Sequence, residues 1–300
     1  MKKKKKVVLI SNFMLIVAAA IWGGNFVFQK IVATDIDPFF FMAARSLLGS
    51  LTLLAMIFCV GGSKDIRSLT KPAFVKLLKI SALCGFINVS GSVMVQIGLI
   101  FTNASKAGFL NAIYIIFVPV LGFFVFKKKS NRFMWLGILL AGIGLYNLCL
   151  DETLSINPGD VIILASTLCF SLHIQLISKY VHQVNGMQLA CLEFFCAFLY
   201  CALVSLIFEH PSVAVLQHCM PSILFAGVLG IGICYALQVT AQRHTDPTVA
   251  ALLMSLESVF GALGGILFLG ETFTLREAFG VCMIIIAIVI AQLPSKTVEC

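Results

Sequence analysis

Three charged side chains stand inside stretches of this sequence that are otherwise apolar: Arg45, Glu193 and Glu257, joined by the titratable His173. A charge within a bilayer costs at least a few kcal/mol, so such groups are retained where they pair, bind or carry something. Glu257 falls near the middle of its apolar run, where a carboxyl can pick up and release a proton or hold an ammonium group. It can equally accept hydrogen bonds from helix ends and pin its helix in place. Arg45 has a similar pair of roles open to it, a carboxylate ligand or the carbonyls of neighbouring backbone.

Polar stripes accompany these charges. Asn25 and Gln29 are four residues apart and share one face of a helix. Asn88, Ser92 and Gln96 step at the same interval, and so do Ser171 and Gln175. Trp22 lies deeper than the interfacial belt where tryptophans collect, while Tyr114, Tyr235 and Gln238 add aromatic and amide groups. Helices in lipid associate through close approach and interhelical hydrogen bonds. Each stripe therefore reads as glue between helices or as the lining of a cavity, and these residues are the candidates for cavity lining and coupling.

The elements that position them are membrane helices. Of the 300 residues 60% are hydrophobic and 11% charged, at a mean hydropathy of +1.04, where a soluble domain carries about a quarter charged residues. A spanning helix needs roughly 20 mostly apolar residues. Windows of that kind occur near 9–31, 38–60, 76–99, 104–126, 133–150, 158–180, 187–208, 220–241, 247–269 and 275–293. The alternating pattern of barrel strands is missing, so the fold class is an all-α integral membrane protein. The lysine run followed by apolar residues and Ala18, Ala19 and Ala20 imitates a cleavable signal. Because the apolar stretch continues to Val32, the first helix is expected to be retained.

The net charge of +8 marks topology rather than nucleic acid. If ten spans alternate, 17 of the 21 Lys and Arg fall on one side, Lys2 to Lys6, Lys64 to Lys79 and Lys127 to Lys129 among them. By the positive-inside rule that side is cytoplasmic, with both termini inside a multi-pass cytoplasmic-membrane protein.

The chain also repeats itself. NASKAGFLNAIYIIFVPVLGFFVF, from Asn103, lies on DPTVAALLMSLESVFGALGGILFL, from Asp246, without a gap at an offset of 143. Earlier, an offset of 148 places Trp22 on Phe170, Asn25 on His173 and Arg45 on Glu193. Residues 1–150 and 151–300 then form two five-helix units. Five is odd, so the second unit enters from the opposite side, giving ten transmembrane helices in two inverted repeats. Such repeats are common in secondary transporters, whose substrate site lies near the midplane between them. Inversion also puts Arg45 and Glu193 at different depths, where they are not expected to pair.

WGGNFVFQK at 22–30, Arg45 in a helix that follows a proline, and SLESVFGALGGILFLGE at 255–271 resemble the EamA-type transporters of the drug/metabolite transporter superfamily. The resemblance implies a ten-helix secondary transporter that moves small metabolites, amino acids favoured, by alternating access and in the direction of export. Efflux of lipophilic cations is the alternative within that class. The implied partners are a small-molecule substrate, the lipid bilayer and protons. A single chain suffices for the transport unit, and no nucleic acid or cofactor is implied.

Other classes lack their residues. There is no GxxxxGK[ST] for ATP hydrolysis, and no HExxH, GxSxG or aspartate pair in the spans for a membrane enzyme. No glycine-rich filter loop speaks for a channel. The eleven cysteines are scattered without a CxxC pair, which reads as small buried side chains rather than a metal site.

Overall fold

A computed structural model of the chain describes residues 2–59, 69–102, 104–127, 132–149, 157–210, 212–269 and 275–291. Lys64, Arg67, Lys128, Lys129 and Lys296, which enter the charge reading, lie outside the described residues. Among the described residues the regular structure is helical, in ten helices. In the first half these are α1 (Lys2–Ile31), α2 (Pro38–Cys59), α3 (Lys71–Phe101), α4 (Ala104–Ala112 and Tyr114–Phe124) and α5 (Arg132–Cys149). In the second half they are α6 (Pro158–Tyr180), α7 (Gly186–Phe208), α8 (Val213–Ala241), α9 (Pro247–Met254 and Glu257–Leu269) and α10 (Leu275–Ala291).

The starts of α6 and α9 follow from cap-then-proline pairs, since proline fits the first turn where no N–H is needed. Asn157 forms a capping box with Asp160, and Asp246 accepts the Thr248 N–H at 2.8 Å. Among the described residues eight helices are long and apolar enough to cross a membrane. α5 and α10 are shorter over their described residues, and each runs up to positions outside the described set at both ends. They pack on each other.

Further contacts join α2 to α7, α3 to α6 and α7, α8 to α1 and α2, α4 to α6, and α9 to α1. Ala18 and Ala19, the residues of the apparent signal motif, are buried within α1, which is one continuous helix. The outward faces carry large apolar side chains, Phe124, Leu206 and Phe208 among them.

Pro119 lies inside α4, where a proline is expected to kink a helix and leave the two halves unequally bent, yet both α4 and α9 break ahead of that position. The α4 break is at Ile113 and the α9 break at Ser255–Leu256. Tight turns close both breaks: Ile113 N–H donates to Leu110 O and Leu256 N–H to Leu253 O, each at 3.3 Å. Proline is therefore not what breaks these helices, since Pro119 lies after the α4 break and the proline of α9, Pro247, opens the helix.

Helix boundaries recur as well. Tyr114 and Glu257 open matching pieces 143 residues apart, and Pro38 and Gly186 open α2 and α7 at 148.

Small residues allow the closest crossings. A Cβ on Gly85 of α3 would strike the Glu193 carbonyl of α7, and one on Gly227 of α8 would lie 3.0 Å from the Arg45 carbonyl of α2. Gly23 crosses α9 at Glu257, and Ser171 of α6 donates to the Tyr114 carbonyl of α4 at 3.4 Å. These crossings bring the charged positions against neighbouring backbone and fix their depth in the bundle.

Candidate functional site

The α1 stripe faces inward. Trp22, Asn25 and Gln29 line a cavity of about 80 Å³, together with Phe26 of the same helix. From the other helices come Arg45 of α2, Ser92 of α3, Tyr114 of α4, His173 of α6, Tyr235 and Gln238 of α8 and Glu257 of α9. A water takes about 10–15 Å³ by this kind of measure, so the space holds about six waters, or about 180 Å³ of liquid. That is the size of a small polar solute.

The cavity has two charged ends. Arg45 is 6% exposed and Glu257 4%. The guanidinium donates from Nη1 to Gln29 Oε1 at 2.9 Å, and its buried Nε has no hydrogen-bond partner among the described residues. Gln29 is held in turn, because its backbone carbonyl accepts from Gln96 Nε2 at 3.4 Å. Glu257 accepts from Asn111 Nδ2 at 2.9 Å and from the Tyr114 hydroxyl, both on α4. Its position at the start of the second α9 piece follows from the helix break, which sets the carboxyl against the matching break of α4. Arg45 and Glu257 form no ion pair with one another, so both charges face the cavity instead.

Trp22 and Tyr235 add an aromatic wall to the lining. The Trp22 indole N–H donates to the Gly230 carbonyl at 2.8 Å. Gly230 sits in the π-helical turns Phe225–Ile233 of α8, a wide geometry that recurs at functional sites. Trp22 meets the ring of Tyr235 edge-on at 5.3 Å.

Four candidates stand outside the lining. Asn88 and Glu193 sit behind His173, where Glu193 Oε1 lies 2.7 Å from His173 Nε2 and accepts from Asn88 Nδ2 at 3.0 Å. Gln96 bonds the Gln29 backbone, and Gln175 donates to the Val118 carbonyl at 2.7 Å. For these two the interhelical bond prevails over lining, because each amide reaches an acceptor on the adjoining helix first. Arg45 and Glu193 do not pair with one another.

Asn111 lines the cavity but was not among the candidates. One turn before Tyr114 inside the repeated segment, it carries a signal only in hindsight of Glu257 lying opposite. Phe26, Phe170 and Met254 also line the site as apolar wall, indistinguishable in sequence from lipid-facing residues. Among the described residues no group of three or more His, Cys, Asp or Glu can hold a metal ion.

A helical membrane protein wrapped around a buried, charged cavity of solute size is the build of a membrane transporter. A profile of the EamA-like transporter family matches residues 9–149 and again 157–292, and the chain belongs to that family, within the drug/metabolite transporter superfamily. It is 28% identical over 277 residues to an uncharacterized transporter of Archaeoglobus fulgidus, covering 92% of this chain and 84% of that protein. It is 25% identical to the uncharacterized transporter YetK of Bacillus subtilis, with 93% and 86% covered. Solute carrier family 35 member F6 of Mus musculus is 25% identical over 206 residues, 62% of this chain and 55% of that protein. One crystal structure superposes with a TM-score of 0.75 over 97% of this chain and 99% of that chain, at 14% identity, a likeness of fold alone.

Proposed function

We propose that this EamA transporter exports small polar metabolites, free amino acids first among them, across the cytoplasmic membrane by alternating access. The observation that carries the reading is the cavity itself. It is small, closed around by helices of both halves, and presents an unpaired guanidinium and a carboxylate to one solute. An amino acid offers a carboxylate for Arg45 and an ammonium for Glu257. The aromatic wall of Trp22 and Tyr235 also suits a cation, which keeps lipophilic-cation efflux as the competing outcome. About 180 Å³ favours the smaller solute.

Two inverted five-helix units, residues 1–150 and 151–300, supply the alternation in this reading. Several features support it: helix pieces that open at constant offsets, contacts that exchange partners between the halves, and a family profile that matches twice. α3 packs on α6 as α8 packs on α1, and α4 packs on α6 as α9 packs on α1. Both termini are cytoplasmic in this arrangement, on the charge count, and one chain forms the transport unit. Its work is drawn from an existing gradient.

The test is transport into proteoliposomes of labelled amino acids and of tetraphenylphosphonium, each with and without an imposed pH gradient. Accumulation of an amino acid that grows with the gradient supports the proposal. Accumulation of the cation alone moves the assignment to multidrug efflux, and absence of amino-acid flux overturns the substrate class.

A further inference from the structure

At the cavity wall His173 backs onto a buried cluster that the Arg45 and Glu257 ends do not use. His173 and Glu193 are 2% and 0% exposed and approach to 2.7 Å. Glu193 Oε1 takes both the His173 contact and the Asn88 hydrogen bond, whereas Oε2 is buried with no hydrogen-bond partner among the described residues. A carboxylate oxygen in that state is costly, because nothing replaces the water it has lost. Glu257 differs, since it faces the cavity and accepts from Asn111 and Tyr114.

We propose that the His173–Glu193 pair is a proton-binding site distinct from Glu257, and that it takes up the proton that couples transport to a gradient. In the unloaded state the neutral imidazole donates Nε2–H to the carboxylate, and the pair carries one negative charge. On loading, one proton enters at imidazole Nδ1 or at carboxylate Oε2 and the pair becomes neutral. No bond between heavy atoms changes. The other groups that face Glu193 are Cys84 of α3, Cys196 of α7 and Tyr235 of α8, and Arg45 of α2 faces Tyr235 in turn.

The cavity can sense this charge. Asn88 Oδ1 accepts from the Tyr235 hydroxyl at 3.2 Å and from Ser92 at 3.3 Å, while its amide nitrogen holds Glu193. Tyr235 packs against Trp22, and Ser92 lines the cavity. Because α3, α6, α7 and α8 each contribute one member, loading changes a contact shared by both halves.

The proposal rests on the gradient-driven reading for its purpose, but its test needs no transported solute, so either can fail alone. The probe is the proton, followed by Trp22 fluorescence in full-length Trp135→Phe protein in nanodiscs of zwitterionic lipid. Trp22 and Trp135 are the two tryptophans of the chain. A one-proton titration step is expected that disappears in Glu193→Gln and in His173→Gln and persists in Glu257→Gln. Persistence of the step in both pair variants, or its loss in Glu257→Gln, overturns the assignment. Should the pair variants fail to fold, infrared spectra of Glu257→Gln protein with ring-labelled histidine decide. A histidine or carboxyl band that titrates with the fluorescence step supports the site, and a step with no histidine or carboxyl band refutes it.

Discussion

Gly23 and Gly24 are neighbours in the first helix, yet alanine is expected to act oppositely at the two positions. At Gly23 a Cβ would lie 2.6 Å from the Glu257 carbonyl oxygen, 2.7 Å from the Gly261 nitrogen and 2.8 Å from Phe260 Cβ. Two of these atoms are backbone, so no rotamer change relieves the clash. α1 has to retreat from α9 by the better part of an ångström to restore ordinary contact. At Gly24 the nearest atom is Phe225 Cζ at 3.7 Å, which is already ordinary contact. Both substitutions gain about 1 kcal/mol of helix propensity, but overpacking at Gly23 costs about 1–3 kcal/mol. Gly24→Ala is thus expected to be neutral or up to about 1 kcal/mol more stable. Gly23→Ala is expected to lose up to about 2 kcal/mol net, a factor of up to roughly 30 in the folding equilibrium. Unfolding of the two purified variants in mixed micelles, against the parent, measures both. Equal stability of Gly23→Ala and Gly24→Ala would refute the close α1–α9 crossing on which the position of Glu257 depends.

Further substitutions address other parts of the site. Trp22→Phe keeps the ring but removes the N–H donor to Gly230, and about 1 kcal/mol of stability should go with it, read as a lowered unfolding midpoint. Asp160→Asn breaks the 2.6 Å ion pair with Lys106 that joins α6 to α4, while the amide oxygen can still cap its helix. A loss of about 1 kcal/mol is expected, and a larger loss in Asp160→Ala, which abolishes the cap too. Asn111→Leu takes one of the two donors from Glu257 and should weaken amino-acid retention in a binding assay more than it weakens the fold.

How much of this could be read from the residues depends on the distance over which a feature is encoded. Local periodicity carried the apolar helices and the inward stripe of Asn25 and Gln29, because four-residue spacing is a property of one helix. The matched breaks of α4 and α9 were implicit in the ungapped segment pairing Tyr114 with Glu257. The break itself was not visible, since a proline drew attention to Pro119 while the tight turns formed at Ile113 and Leu256 without one. Partnerships across helices were hidden for another reason. Glu193 aligned with Arg45 in the repeat, but its hydrogen bonds go to His173 and Asn88, and nothing in a single span names a partner on another helix. The amides of Gln96 and Gln175 looked like lining for the same reason and bond backbone instead.

The central claim is that one solute is held between Arg45 and Glu257, and saturable quenching of Trp22 fluorescence by a free amino acid in Trp135→Phe protein measures that most directly. The account predicts quenching by an α-amino acid, weakened at least tenfold in affinity by either Arg45→Gln or Glu257→Gln, with little response to its decarboxylated amine. Equal affinity for the acid in both variants and the parent would contradict it.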